Sequence, residues 1–240
     1  MHHFLYGVLP YLALTVAVIG SIIRYDRDPF TWKSKSSQLL RKRGFVLGSV
    51  LFHVGVLFIF AGHFVGLLTP IAVFDALGVP HGAKQLLAVV AGGIAGTMAL
   101  VGGLILLARR LGDPRIRANS GFGDNLVMIM LVGQLGLGLA SVIPTMAHLD
   151  GHEMLKFMAW AQGIIFFQPG AAEHIADVHW IYKVHILLGL AIILVFPFTR
   201  LVHMVSAPVR YLWRPGYQIV RSRRGAKAAP RGVGPVRRAE

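Results

Sequence analysis

Apolar and polar positions follow one another in long blocks along this chain. Five apolar runs cover about residues 4–23, 45–68, 86–108, 126–143 and 179–205. The second run, FVLGSVLFHVGVLFIFAGHFVGLL, contains no Asp, Glu, Lys or Arg. At about 1.5 Å of rise per residue, it is long enough to cross a bilayer as a helix. The pattern predicts an all-α integral membrane bundle of five transmembrane helices.

Between the fourth and fifth runs the pattern predicts one further helix. Residues 153–167 combine apolar positions with Lys156, Trp160 and Gln162, which is typical of a short helix lying at the membrane interface. Pro197 lies inside the fifth run, where we expect it to kink the helix or open its hydrogen-bond ladder. The first run lacks the basic n-region and the A-x-A-like site of a signal peptide, so we expect a retained helix there.

The composition fits this class and limits the chemistry. Of the 240 residues, 55% are hydrophobic, and the mean hydropathy is +0.63, as in an integral membrane protein. Cysteine is absent. This excludes a disulfide framework, thioether attachment of a c-type haem, and a cysteine-ligated iron–sulfur cluster within this chain. Any metal or haem must therefore be held by histidine, methionine or oxygen ligands.

The basic residues predict the orientation of the bundle. A net charge of +14 would suggest nucleic acid for a soluble protein, but here membrane topology explains it and we expect no nucleic-acid partner. Most Lys and Arg residues lie in loops 24–44 and 109–124 and in the tail from Arg200, all on one side. The positive-inside rule makes that side cytoplasmic and the N-terminus external. We expect a transmembrane domain, residues 1–207, and a partly disordered basic tail, residues 208–240.

Four of the eleven histidines fall inside apolar runs. They are His53 and His63 in the second run, and His185 and His203 in the fifth. A titratable side chain at membrane depth costs roughly a few kcal/mol without a partner, so each one indicates a functional site. Because the two runs cross in opposite directions, the membrane levels match as His63 with His185 and as His53 with His203.

The spacing of these histidines requires ligation between helices. When two imidazoles bind on opposite sides of one ion, their two ligating nitrogen atoms lie about 4 Å apart. His53 and His63 are separated by about 15 Å of helix rise, and His185 and His203 by about 27 Å. Neither same-helix pair can share an ion, so the pattern predicts two sites between the two helices, as two haems would need. The unequal spacings would have to be absorbed by helix tilt, tilted haems or distortion near Pro197.

Two other interpretations of the four histidines stay open. They could be polar packing residues that bond to Ser, Thr or backbone groups of other helices. A proton relay is a further possibility, but it would normally include Asp or Glu, and no carboxylate lies in the middle of a run.

Ten segments resemble a known family, the gamma subunit of membrane-bound respiratory nitrate reductase, which is a di-haem cytochrome b. The likeness runs from about residue 11 to residue 220. The segments are IRYD (23–26), SSQLL (36–40), LFHVG (51–55), GHFVGLLTP (62–70), KQLLAVVAGG (84–93), HLDGHEMLK (148–156), WAQ (160–162), YKVHILLG (182–189), FPFTRLVH (196–203) and APVRYL (207–212).

The resemblance implies a five-helix, quinol-oxidising membrane anchor with two haem b groups. Its outer haem would be ligated by His63 and His185, and its inner haem by His53 and His203. The residue matching the family's quinol-site lysine is Lys84, which could instead be an interfacial side chain that reaches toward the headgroups.

The resemblance also implies an electron path and its partners. Quinol from the membrane pool would release two protons outside, and the electrons would pass from the outer to the inner haem. They would then reach an iron–sulfur beta subunit and a catalytic alpha subunit on the cytoplasmic side of the inner membrane. Loop 24–44 and the basic tail would form the docking surface.

Two alternatives remain at the level of function. The chain could be a related gamma-like cytochrome b of a sulfite-reductase or heterodisulfide-reductase type complex. From a different class, a transition-metal transporter would use His148, His152 and His174 as capture ligands. These three could equally be solvated loop histidines.

Overall fold

The computed structural model describes residues 1–34, 36–147 and 149–206, and these ranges contain helices but no strands. The predicted tail, residues 208–240, lies outside the described residues, as does His148. A π-helical turn, Phe4–Val8, leads into the first α-helix. The α-helices are α1 Leu9–Arg27, α2 Phe45–Leu68, α3 Ile71–Ala76, α4 His81–Gly112, α5 Pro114–Ala118, α6 Phe122–Ala140, α7 Val142–Met146, α8 His152–Ile165 and α9 Trp180–Val195.

Five helical stretches of the described chain are long and apolar enough to cross a membrane. They are Phe4–Arg27, Phe45–Leu68, His81–Gly112, Phe122–Met146 and Trp180–Phe198. The predicted all-α bundle of five transmembrane helices is therefore confirmed. The helix predicted over residues 153–167 is present as α8, with fourteen residues, which is too short to cross a bilayer that needs about 20.

Close packing joins α2 to α4 along one side of the bundle. A Cβ atom added to Gly102 would lie 2.4 Å from the backbone nitrogen of Phe52, and one added to Gly55 would lie 2.6 Å from the carbonyl oxygen of Ala95. Glycine at these positions lets the two backbones touch, as small residues do in membrane helix pairs. By contrast, α9 packs mainly against α6 and α1.

The basic loops meet at one end of the bundle, which we call the basic end. Arg41 forms an ion pair with Asp113 at 2.8 Å, and the Arg109 guanidinium donates to the carbonyl oxygens of Arg41 and Arg43. Arg200 donates to the carbonyl oxygen of Ser34. The loop after α1, the turn after α4 and the segment after α9 therefore lie together, as the charge pattern predicted.

At the opposite end, which we call the far end, α8 ties several helices together. The Gln162 side-chain amide donates to the carbonyl oxygens of Leu67 and Thr69, both at 3.0 Å. These are carbonyls that the end of α2 leaves without helical partners. On its other side, Trp160 donates to the carbonyl oxygen of Tyr6 at 2.9 Å. Through these bonds α8 spans the far ends of α1 and α2.

The start of the third span differs from the prediction. The sequence pattern placed residues 69–85 in a connector, whereas α3 forms within it and α4 begins at His81. Pro80 precedes α4 with φ −61°, and its fixed φ suits the beginning of a helix. Lys84 and Gln85 made the segment look polar, yet both side chains are buried inside the first turns of α4.

The fifth span, predicted over residues 179–205, is broken at Pro197, where a kink or an opened hydrogen-bond ladder was expected. The α-helix ends at Val195 and is followed by two 3₁₀ segments, Phe196–Phe198 and Arg200–Ser206. Proline has no N–H and its ring collides with the preceding turn, so Pro197 ends the α-helix. His203 therefore lies beyond the break, and the rise calculated for a continuous helix between His185 and His203 does not apply.

Candidate functional site

The four histidines of the apolar runs form two facing pairs between α2 and the last span. The ring centres of His63 and His185 are 6.4 Å apart with an interplanar angle of 36°. Those of His53 and His203 are also 6.4 Å apart, with an angle of 68°. The structure thus brings together the same partners that the membrane levels paired. The first pair lies toward the far end and the second toward the basic end.

The separation within each pair fits two ligands of one metal ion. Two imidazoles on opposite faces of an ion, each nitrogen about 2 Å from it, put their ring centres about 6 Å apart. A pair that packed as neighbouring core residues would have no reason to keep this spacing twice. The distance between the rings would therefore allow both histidines of a pair to hold one haem iron.

Hydrogen bonds at the second ring nitrogen orient three of the rings. The Nδ1 atom of His53 lies 2.7 Å from the carbonyl oxygen of Ser49, and that of His63 lies 2.9 Å from the carbonyl oxygen of Ile59. In His203 the partner is the carbonyl oxygen of Arg200, at 2.5 Å. An Nδ1–H that donates to a carbonyl leaves Nε2 unprotonated, which is the state of a metal-ligating imidazole.

His185 has a different environment from the other three. Its Nδ1 atom is buried without a hydrogen-bond partner in the described chain, while its Nε2 atom lies 3.3 Å from the side-chain nitrogen of Gln134. A Cβ atom added to Gly138 would lie 3.1 Å from the ring, so α6 closely supports it. Buried polar groups normally have partners, and the unmatched ring nitrogen marks a site that the protein groups alone do not complete.

The donor set suits a haem better than a bare ion. Among the described residues, no cluster of three or more His, Asp or Glu side chains could hold a metal ion, whereas structural and catalytic zinc sites need three or four protein ligands. A haem needs only axial ligands from the protein, and paired histidines supply them. His152 and His174, two of the capture ligands in the transporter hypothesis, belong to no such cluster among the described residues, and His148 lies outside them.

Lys84 is enclosed near the far end rather than extended toward solvent. Only 8% of the residue is exposed. Its ammonium donates to the Sδ atom of Met158 at 2.7 Å and lies 3.8 Å from the ring centre of Phe74, so α8 and α3 both cover it. The interpretation of Lys84 as a side chain reaching for headgroups does not fit this burial. Neither Met158 nor Phe74 carried a sequence signal, because both look like ordinary apolar positions.

An apolar groove runs beside His63 on the far-end half of α2. It is lined by Phe60, Ala61, His63, Phe64, Val65, Leu67 and Leu68. All of these residues belong to α2, and together they expose hydrocarbon and aromatic surface next to a histidine of the far-end pair.

A buried polar cluster at the basic end was not anticipated from the sequence. Arg110, Asp124 and Arg200 line a small pocket with Ser37 and Ser120. Arg200 pairs with Asp124 at 3.6 Å, and burial, followed by repulsion from Arg110, lowers the pKa of Arg200 to about 10. The charge pattern assigned these arginines to topology alone, whereas Arg110 is buried and Arg200 lies three residues before His203.

Comparisons with known proteins agree with one another. The model of the family described as nitrate reductase gamma subunit matches residues 2–223. The chain is 44% identical over 223 residues to the Respiratory nitrate reductase 1 gamma chain of Escherichia coli (strain K12), covering 93% of this chain and 98% of that one. It is 48% identical to the Respiratory nitrate reductase 2 gamma chain of the same organism over 92% and 97% of the two chains. For the Nitrate reductase gamma chain of Bacillus subtilis (strain 168) the identity is 37%, over 91% and 97%.

Proposed function

This chain belongs to the nitrate reductase gamma subunit family, and from that premise we propose that it is the di-haem cytochrome b that oxidises quinol. As a member of the family it is the membrane-anchored component of a nitrate reductase and a subunit of a quinol-dependent oxidoreductase. The proposal adds the cofactors, the residues that hold them and the direction of electron flow.

The observation that carries the proposal is the equal spacing of the two histidine pairs. His63 and His185 would hold the outer haem, and His53 and His203 the inner haem, each pair with ring centres 6.4 Å apart. When bound, each haem supplies a one-electron couple, ferric to ferrous, whose potential the protein tunes through ligands and surroundings. The chain's own part is to keep the two rings of each pair at a fixed separation and, for His53, His63 and His203, to hold the Nδ1–H group on a backbone carbonyl.

Quinol would bind at the far end, between Lys84 and the groove beside His63. A lysine ammonium offers three hydrogen-bond donors and no acceptor, so it can hold a quinol oxygen. The apolar groove lined by Phe60, Phe64 and Leu68 would take the ring or the isoprenoid tail. Lys84 would exchange the Met158 sulfur, a weak acceptor, for the quinol oxygen.

The orientation follows from the positive-inside rule. The basic end would face the cytoplasm, with the N-terminus outside, in the cytoplasmic (inner) membrane. Quinol protons would then leave on the outer side, and electrons would cross from His63 and His185 to His53 and His203. Charge would move across the membrane as electrons, which adds to the proton-motive force.

The electron acceptors would be an iron–sulfur beta subunit and a catalytic alpha subunit at the basic end. Because this chain has no cysteine, the clusters must belong to a partner. Phe30 and Leu39 are 88% and 96% exposed in the loop between α1 and α2, at this end. Large apolar side chains exposed outside the membrane spans mark a contact surface for another protein.

The test is spectroscopic and then enzymatic. The affinity-tagged chain is purified with its native partners, and a reduced-minus-oxidised spectrum and a redox titration are recorded. We expect a b-type α-band, two separately titrating haems, and nitrate reduction driven by a short-chain quinol. A complex without haem, or one whose haems quinol cannot reduce, would refute the proposal.

A further inference from the structure

The guanidinium of Arg24, in the last turn of α1, binds the chain on both sides of the break in the fifth span. Its Nη1 atom donates to the carbonyl oxygens of Pro197 at 2.6 Å and of Thr199 at 2.8 Å. Its remaining donors reach Thr31, with Nη2 to the carbonyl oxygen at 2.9 Å and Nε to Oγ1 at 3.2 Å. One side chain thus joins the end of α1 to a segment more than 170 residues away.

The break needs such a donor because of how Pro197 ends the helix. The last carbonyls of an α-helix have no intrahelical partner, and here the following residues form two short 3₁₀ segments instead of a continued helix. Pro197 and Thr199 are both buried, where water is a poor substitute for a protein donor. The rigid, planar guanidinium supplies two N–H groups in fixed geometry, which a flexible ammonium does not.

Gly20, one helical turn before Arg24, allows the approach that these bonds require. A Cβ atom added to Gly20 would lie 2.9 Å from Cγ and 3.0 Å from Cβ of Pro197. Residues four apart share a face of a helix. The same face of α1 therefore receives the proline ring at Gly20 and its carbonyl at Arg24.

The segment held in this way is the one that carries His203. Thr199 immediately precedes the second 3₁₀ segment, and its Oγ1 accepts the backbone N–H of Leu201 at 3.3 Å. Within the same segment, the Arg200 carbonyl accepts the Nδ1–H of His203 at 2.5 Å. His203 has left the α9 helix that positions His185, so its place opposite His53 depends on what anchors this segment.

We propose that Arg24 is a positioning residue for His203, and that the Gly20–Arg24 face of α1 sets the ring's distance from His53 and hence the ligation of the inner haem. This inference rests on the proposed function, because it assumes that the His53–His203 pair holds a haem. It assigns to the first span a role in the inner site, although α1 contributes no ligand to it.

The experiment compares variants of the purified complex. Arg24→Gln removes both the charge and the planar guanidinium, and Arg24→Lys keeps the charge alone. Arg27→Gln is the matched control three residues away, with an 83% exposed side chain. For each, the midpoint potentials of the two haems are measured by redox titration and the ferric haems by electron paramagnetic resonance. The outer haem serves as an internal standard for folding.

We expect Arg24→Gln to change only the inner haem, with a shifted midpoint potential and an altered paramagnetic resonance signal. The affinity for this haem should fall by about tenfold or more, as it does when other groups that orient a metal ligand are lost. Arg24→Lys should recover part of the shift, and Arg27→Gln should match the wild type. If Arg24→Gln does not accumulate, Gly20→Ala tests the same face with the same readouts.

Two results would overturn the inference. An unchanged inner haem in Arg24→Gln would do so, as would equal changes at both haems, which would indicate a general loss of folding. A wild-type complex without two b haems would be a separate failure, that of the proposed function itself, and would be seen before any variant is made.

Discussion

The ring centre of His53 lies 6.4 Å from that of His203. His203 has this position although the α9 helix of its own span ends before it. A continuous helix would separate His185 from His203 by about 27 Å of rise, against about 15 Å between His53 and His63. Because the α9 helix ends at Val195 and 3₁₀ segments follow, the rise of a continuous helix does not describe the position of His203. Unequal sequence spacing is thus compatible with two equal pairs.

Substituting one histidine of a pair should remove one haem and leave the other. We expect His53→Ala to lose the inner haem and His63→Ala the outer haem, since each ring belongs to a separate gap. Haem content per complex and the redox titration measure the result. His174→Ala, at an exposed position of the 3₁₀ segment Ala171–Ile175, is the control and should keep both haems. Loss of both haems from either single variant would contradict two independent sites.

The contact between α2 and α4 predicts a second, steric effect on the inner site. Gly102→Ala would put a methyl group 2.4 Å from the Phe52 nitrogen and 2.7 Å from the Gly48 carbonyl oxygen, next to His53. Overpacking of this kind typically costs about 1–3 kcal/mol, and thermal unfolding in detergent should show a lower midpoint.

The matched control lies on the same helix. Gly92 is exposed and has nothing within 4 Å of an added Cβ. Alanine is favoured over glycine in a helix by about 1 kcal/mol, so Gly92→Ala should be neutral or stabilising. Equal destabilisation by the two substitutions would mean that the α2–α4 contact is not as close as the structure has it.

How much the sequence could predict differs between elements, and the difference has physical causes. The bounds of α2 were predicted to the residue, since an uninterrupted apolar run lies between Gly44, which has φ 68°, and the Thr69–Pro70 turn. The start of α4 was predicted too late in the chain, because Lys84 and Gln85 are polar residues whose burial depends on side chains that are distant in sequence. Only the packing of α8 and α3 shows that Lys84 is enclosed by Met158 and Phe74.

The candidate site shows the same division. Membrane levels were enough to pair His63 with His185 and His53 with His203, since they depend on counting along antiparallel spans. The anchoring of the His203 segment by Arg24 could not be predicted, because a basic residue after an apolar run is also what topology alone would place there. The four hydrogen bonds of its side chain are seen only in the folded structure.

The ion pair between α8 and the segment before α9 predicts a dependence of stability on pH. Lys156 donates to Asp177 at 2.8 Å and to Glu153 at 3.0 Å. The hydrogen bond from Lys156 lowers the pKa of Asp177 below its ordinary value of 3.8. A depressed carboxyl pKa stabilises the fold above the unfolded value, and this contribution is lost as the pH falls through the folded value.

Asp177→Asn should therefore unfold at a lower temperature than the wild type at neutral pH, and the difference should shrink as the pH falls below about 4. Circular dichroism of the detergent-solubilised complex measures both midpoints. Asp26→Asn is the control, because both side chains of the Arg27–Asp26 pair are more than 75% exposed and such pairs contribute little, whereas Lys156 is only 20% exposed. A wild-type advantage over Asp177→Asn that is independent of pH would contradict the assignment.

Lys84 gives the sharpest test of the quinol site, because its contacts predict a kinetic defect without a structural one. Lys84→Met keeps the length and apolar stem of the side chain between Met158 and Phe74 but removes the donor to a quinol oxygen. Losing a hydrogen bond to a charged group costs about 1.5–3 kcal/mol, so haem reduction by a short-chain quinol should slow by about 10- to 100-fold. Reduction of the same haems by dithionite should be unchanged, which separates binding of the donor from integrity of the haems.

The control variant is Lys183→Met, near the start of α9, where the Lys183 ammonium donates to the Ala176 carbonyl at 2.6 Å. It removes an equal charge at the far end and should leave the rate of quinol oxidation unchanged. If both lysine variants slow quinol oxidation alike, the far end would act through its general positive charge, and Lys84 would have no special place in the site.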